Sequence, residues 1–226
     1  MDIQAIISNL LVTMPIFLLS LSVHEAAHAL TADYLGDSTA RELGRATLNP
    51  LPHIDFLGTI VMPILSALSG GAALIGWAKP VPIDWHNLRN IRRDDTLIAL
   101  AGPASNLLLS LLFFGMLLVV YSGTIDVSTG TPGEFLRRCV QYGLIINIAL
   151  AVFNMIPLPP LDGSHLVANL LPDELAERYR ALGLYGIIIL LFLLNFTPLR
   201  TVLGSIIVGI YNLYTDGAAL IVRAIF

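Results

Sequence analysis

The chain has 226 residues, 56% of them hydrophobic and 12% charged, with a formal net charge of −4 and a mean hydropathy of +0.79. An average soluble domain carries roughly 25% charged residues, so this composition excludes a water-exposed globule, whose surface it could not cover. No basic tract is long enough to follow a phosphate backbone, which argues against a nucleic-acid partner. The single cysteine, Cys139, allows neither an intrachain disulfide nor a cysteine-rich metal cage, so a metal site would have to draw on histidine and carboxylate.

A bilayer core about 30 Å thick needs roughly 20 apolar residues as a helix. The first candidate span, residues 4–34, is interrupted by Pro15 and turns polar near its end. It lacks the basic start and cleavage site of a secretory signal, so it is expected to be a retained helix. An apolar stretch follows at 56–76, then spans at 96–121, 135–156, 182–197 and 201–224. The 182–197 segment is marginal in length and could be a tilted or partly submerged helix. The break at 195–198 suits a tight hairpin. No composition shift divides the chain. These residues predict an all-α polytopic membrane protein with about five to six transmembrane helices in one membrane-embedded domain, 1–226. Its motif-bearing core spans about 4–166, with additional helices at about 180–226.

Basic residues give the orientation. Arg41 and Arg45 follow the first span, Lys79, Arg89, Arg92 and Arg93 precede 96–121, and Arg178 and Arg180 precede the last two segments. By the positive-inside tendency, 35–55, 77–95 and 157–181 face the cytoplasm. The stretch 56–76 then has both flanks on one side and reads as re-entrant or extended, with bends available at Met62-Pro63 and Ser69-Gly70-Gly71. A single full crossing is the alternative, and it would invert everything downstream.

The chemistry-bearing residues begin at His24-Glu25-Ala26-Ala27-His28. Helical positions four apart share a face, about 6 Å along the axis, so two imidazoles can converge on one ion. Glu25, beside the first of them, can reach a water held there and take its proton. Ionisable residues directly after a long apolar run are costly in lipid and usually functional. A zinc hydrolase needs a third protein ligand, and Asp162 is the best candidate. It follows the prolines of NMIPLPPLDG, residues 154–163, which cannot continue a helix. Asp162 also reads as an N-cap for the helical run 164–171.

HEAAH and NMIPLPPLDG together resemble the paired HExxH and NxxPxPxLDG signatures of the site-2 protease family of intramembrane zinc metalloproteases. GWAKPVP at 76–82 and AGPASN at 101–106 resemble segments of its compact bacterial and archaeal members, and no stretch reads as a PDZ or CBS module. The resemblance runs from about residue 20 to 166. It implies one Zn2+ per chain on His24, His28 and Asp162, Glu25 as catalytic acid and base, and Asn154 helping to hold substrate or the developing oxyanion. It further implies regulated intramembrane proteolysis of transmembrane protein substrates in the lipid bilayer, in a prokaryotic cell membrane, with the site towards the cytoplasm. A divalent-metal transporter and an inactive scaffold are the alternatives, as is a metalloprotease with a glutamate ligand, for which Glu42 and Glu134 lack a surrounding motif.

Other residues carry weaker signals. His53 reads as a loop residue or as an orienting group, and His86 as interfacial. His165 is interfacial or a partner of Asp162. Trp77 and Trp85 read as interface anchors. The proline-extended 76–82 stretch could offer an edge to a substrate strand. Asn106 needs a partner inside its apolar helix, and Gly102, Ala104 and Ser105 suggest close helix packing there.

Overall fold

The computed structural model describes residues 3–68 and 76–225. Its helices are α1 (Ile3–Leu35), α2 (Thr39–Glu42), α3 (Met62–Leu68), α4 (Ile91–Tyr121), α5 (Pro132–Asn154), α6 (Gly163–Leu170), α7 (Asp173–Arg180), α8 (Gly183–Phe196) and α9 (Leu199–Ile225). A π-helical stretch, Phe56–Val61, leads into α3. Among the described residues there is no strand.

Four helices, α1, α4, α5 and α9, are long and apolar enough to cross a membrane, and a bent α7–α8 pair would make a fifth. At 14 residues, α8 alone is about 21 Å long, short of the bilayer core. The expected span at 182–197 is therefore incomplete by itself. Capping explains why α4 starts earlier than its apolar run. Asn90 accepts from the Arg93 N–H and Asp94 accepts from the Asn90 N–H, so the charged first turn is held in the helix. Helix α5 starts behind the Thr131 cap and stops at Asn154, ahead of the prolines at 157, 159 and 160.

Helices α1, α4 and α5 form the centre, with α9 packed against α4 and α5. Val12, Ile16, Phe113, Leu117, Val120, Val140, Leu144 and Ala218 are buried between them. Phe113 lies directly over Gly143, where a Cβ would meet its ring. The outer face of α4 exposes Leu107, Leu108, Leu111, Leu112, Met116 and Val119, while Asn106 and Ser110 are buried. An apolar exterior over a partly polar interior is the pattern lipid demands.

Contacts fix the helix directions. Arg138, near the start of α5, bonds Asn9, near the start of α1, so those two helices run parallel. Ile98, near the start of α4, meets His28, near the end of α1, so α4 is antiparallel to both. Helix α1 therefore ends where α4 begins, and Asp37 ties the two loops there by accepting from Asn87 and from the Asp84 N–H. One crossing by the intervening chain would put those ends on opposite faces. Its two flanks are also paired: Trp77 N–H donates to Gly58 O, Thr59 Oγ1 to Trp77 O and Lys79 N–H to His53 O. The segment around α3 leaves and returns at one end of the bundle, as a re-entrant segment must. The bend expected at 69–71 lies outside the described residues.

Candidate metal centre

On α1, His24 and His28 turn their rings inward and are 4% and 8% exposed. Each ring is tied at Nδ1. His24 Nδ1–H donates to Asn106 Oδ1 at 2.6 Å, and His28 Nδ1–H donates to Ile98 O at 2.7 Å. That leaves both Nε2 atoms as lone-pair donors. They face each other at 3.0 Å, a repulsive arrangement unless a cation lies between them. Asp162 completes the group, with Oδ2 3.1 Å from His24 Nε2 and Oδ1 3.5 Å from His28 Nε2. Asp162 Oδ2 is buried and has no hydrogen-bond partner among the described residues. All three ligand atoms lie within 4.8 Å of one another. Zinc bonds of about 2.0–2.2 Å imply tetrahedral edges of roughly 3.3–3.5 Å, so this donor set fits the ion with shifts of a few tenths of an ångström.

The Asp162 loop is built to present that carboxylate. Gly163 packs so closely on the carbonyls of Met155 and Ile156 that a Cβ would overlap them. Tyr179 Oη donates to Pro157 O at 2.8 Å, and Gly186 of α8 lies against Pro159 O. Asp162 occupies the N-cap position of α6, yet its side chain makes no capping bond. The capping alternative is thereby overturned. Glu42 lies exposed on α2, and Glu134 accepts from Gly130 N–H at the opposite end of the bundle, which removes the glutamate alternative.

Two supports were only half legible in the sequence. Gly102 lies against both rings, where a Cβ would fall 2.6 Å from His24 Nε2 and closer still to His28 Nε2. Its small size serves the two histidines as well as helix packing. Asn106 finds the partner it needs: its amide N–H groups donate to Ser20 O and Asn147 Oδ1, at 3.2 and 2.9 Å. This leaves Oδ1 to accept from His24 and fixes the imidazole tautomer. Asn147, which in turn donates to Ser20 Oγ and Gly143 O, carried no sequence signal beyond a polar residue in an apolar helix. Ser20, Asn106 and Asn147 are fully buried.

Glu25 is buried, and its Oε2 accepts from the Val81 N–H at 3.0 Å. The 76–82 stretch thus braces Glu25, and several of its backbone groups are already engaged within the chain. The Asn154 amide donates to Leu150 O in its own helix. His53 is buried, with Nε2 2.9 Å from Thr47 O, rather than a surface loop residue. His165 turns to Asp95, at 3.0 Å, instead of Asp162. Asp95 also accepts from Asn169, which Arg180 bonds in turn, joining α4 to α6 and α7. His86 is exposed. Trp77 covers Gly58, and Trp85 lies under the Arg180 guanidinium at 5.6 Å.

The sequence model of peptidase family M50 matches residues 121–194. YwhC of Bacillus subtilis, named provisionally as a zinc metalloprotease, is 35% identical over 186 residues, covering 80% of this chain and 78% of YwhC. Rip2 of Mycolicibacterium smegmatis, named in the same way, is 30% identical over 178 residues, 79% of this chain but only 64% of Rip2. No solved structure matches. With a His–His–Asp group at one end of a bundle of apolar helices, and relatives aligned over most of both chains, this integral membrane protein belongs to peptidase family M50, the site-2 protease family of zinc metalloproteases.

Proposed function

We propose that this zinc metalloprotease hydrolyses peptide bonds in or near transmembrane segments of other membrane proteins, in a prokaryotic cell membrane, with its site towards the cytoplasm. The convergence of His24, His28 and Asp162 inside the helix bundle carries this reading. His28 lies seven residues before the end of α1, about 10 Å along the axis, so the group sits below the helix ends. The basic residues 41, 45, 79, 89, 92, 93, 178 and 180 lie in the loops, short helices and first turn of α4 at that end, which supports the cytoplasmic orientation.

His24 Nε2, His28 Nε2 and one Asp162 oxygen would hold the ion and leave a fourth position open. Bound zinc supplies Lewis acidity, making water nucleophilic near neutral pH and polarising a carbonyl. Glu25 takes the proton from the attacking water and returns it to the departing amine nitrogen. Asn154 hydrogen-bonds the substrate or its oxyanion once its amide turns from Leu150 O. A substrate helix hides its carbonyls in hydrogen bonds, so it must unwind locally, and helix-weakening residues near the cut favour cleavage.

The test is purified protein incubated with a panel of model transmembrane peptides, with and without a chelator. Glu25→Gln should abolish cleavage while zinc is retained, and Asp162→Ala should lower zinc occupancy. Full cleavage by Glu25→Gln would overturn the role of that residue. Metal flux in liposomes without peptide products would instead favour the transporter reading.

A further inference from the structure

Arg45 is only 8% exposed, and its guanidinium meets backbone rather than a carboxylate. Nη2 donates to Lys79 O at 2.6 Å and to Pro80 O at 3.3 Å, while the buried Nε has no partner among the described residues. Burying a cation without a counter-charge is costly. The carbonyls it holds belong to one particular peptide group, Pro80–Val81, and to the one before it. Pro80 and Pro82 have no N–H, so Val81 supplies the sole amide donor over 80–82, and that donor points at Glu25 Oε2, 3.0 Å away.

Pro80 C=O and Val81 N–H are the two ends of a single planar peptide group. Arg45 on its oxygen fixes the plane and polarises the N–H that faces Glu25. Lys79 N–H, anchored on His53 O, holds the residue before it. We propose that Arg45 is a positioning residue for the general base: through the Pro80–Val81 amide it holds Glu25 Oε2, which commits Oε1 to proton transfer. The inference rests on Glu25 being that base.

The test compares wild type, Arg45→Gln, Arg45→Lys, Val81→Pro and Glu25→Gln as purified zinc-loaded proteins, on a model transmembrane peptide that wild type cleaves. Misplacing a catalytic group by about 1 Å can cost on the order of a hundredfold in rate. Arg45→Gln and Val81→Pro should therefore lose about tenfold to a hundredfold in kcat, with KM within about twofold and zinc stoichiometry intact. Arg45→Lys, which can still donate to both carbonyls, should recover most of the loss. Wild-type kcat in Arg45→Gln and Val81→Pro, with Glu25→Gln inactive, overturns the positioning role alone. Wild-type rates in Glu25→Gln overturn the base assignment beneath it. If Arg45→Gln does not fold, Val81→Pro decides. Loss of fold or of zinc in both overturns the proposal in favour of a structural staple.

Discussion

Alanine at position 102 is the perturbation whose outcome departs furthest from helix propensity. Gly102 is inside α4, where Gly→Ala ordinarily stabilises by about 0.5–1 kcal/mol. Here the new methyl would sit 2.6 Å from His24 Nε2 and Cε1, and nearer to His28 Nε2. Ordinary contact is about 3.5 Å, so the His24 ring end must retreat by about 0.9 Å and that of His28 by about 1.1 Å. Their Nδ1 atoms are tethered to Asn106 and Ile98, so the ring ends swing away from Gly102 about those tethers and out of their present alignment with Asp162. A zinc site tolerates about 0.2 Å of such movement. Zinc affinity should fall at least about a hundredfold, or roughly 2.8 kcal/mol at about 1.4 kcal/mol per tenfold. The assay is zinc content by mass spectrometry after dialysis against graded chelator, read beside peptide cleavage and the melting temperature of the metal-free protein. Full zinc retention with wild-type cleavage would refute the claim that this helix face is shaped by the two imidazoles.

Asn106→Leu removes the acceptor that sets the His24 tautomer and strands Asn147 Oδ1. Zinc affinity should drop by about 10–100-fold, and the metal-free protein should lose about 1–3 kcal/mol, measured by chelator competition and by denaturation in detergent. Asp37 supplies a pH signature. Burial opposes its ionisation, but hydrogen bonds from the Asn87 and Thr39 side chains and from the Asp84 and Thr39 N–H groups outweigh it, holding the carboxyl below its ordinary range. Its contribution is therefore fully present above about pH 4 and is lost as pH falls through the lowered folded-state value. Asp37→Asn should lower the melting temperature at pH 6–7 and flatten its acid dependence relative to wild type.

Local periodicity and chemistry made part of this protein legible from sequence. Apolar runs of bilayer length fix where α1, α4, α5 and α9 lie, because a helix in lipid needs about 20 such residues whatever surrounds it. The four-residue spacing of His24 and His28 fixes that both rings share a face, because that follows from 3.6 residues per turn. Basic loops with prolines or glycines beside them were enough to raise the re-entrant segment and the place of the Asp162 loop.

The remainder depended on pairings between distant segments. Whether Asp162 caps α6 or faces the histidines is a question of side-chain direction, and both uses fit the same residue at the same position. Closure of the segment around α3 required knowing that α1 ends where α4 begins. Asn106 and Asn147 looked like isolated polar residues until helix packing brought them onto Ser20 and His24, and Arg45 looked like one more topogenic cation until its carbonyl partners were in view. Periodicity records which way a residue faces on its own helix. Its neighbour across the interface is chosen only when the helices pack, and the site is made of such neighbours.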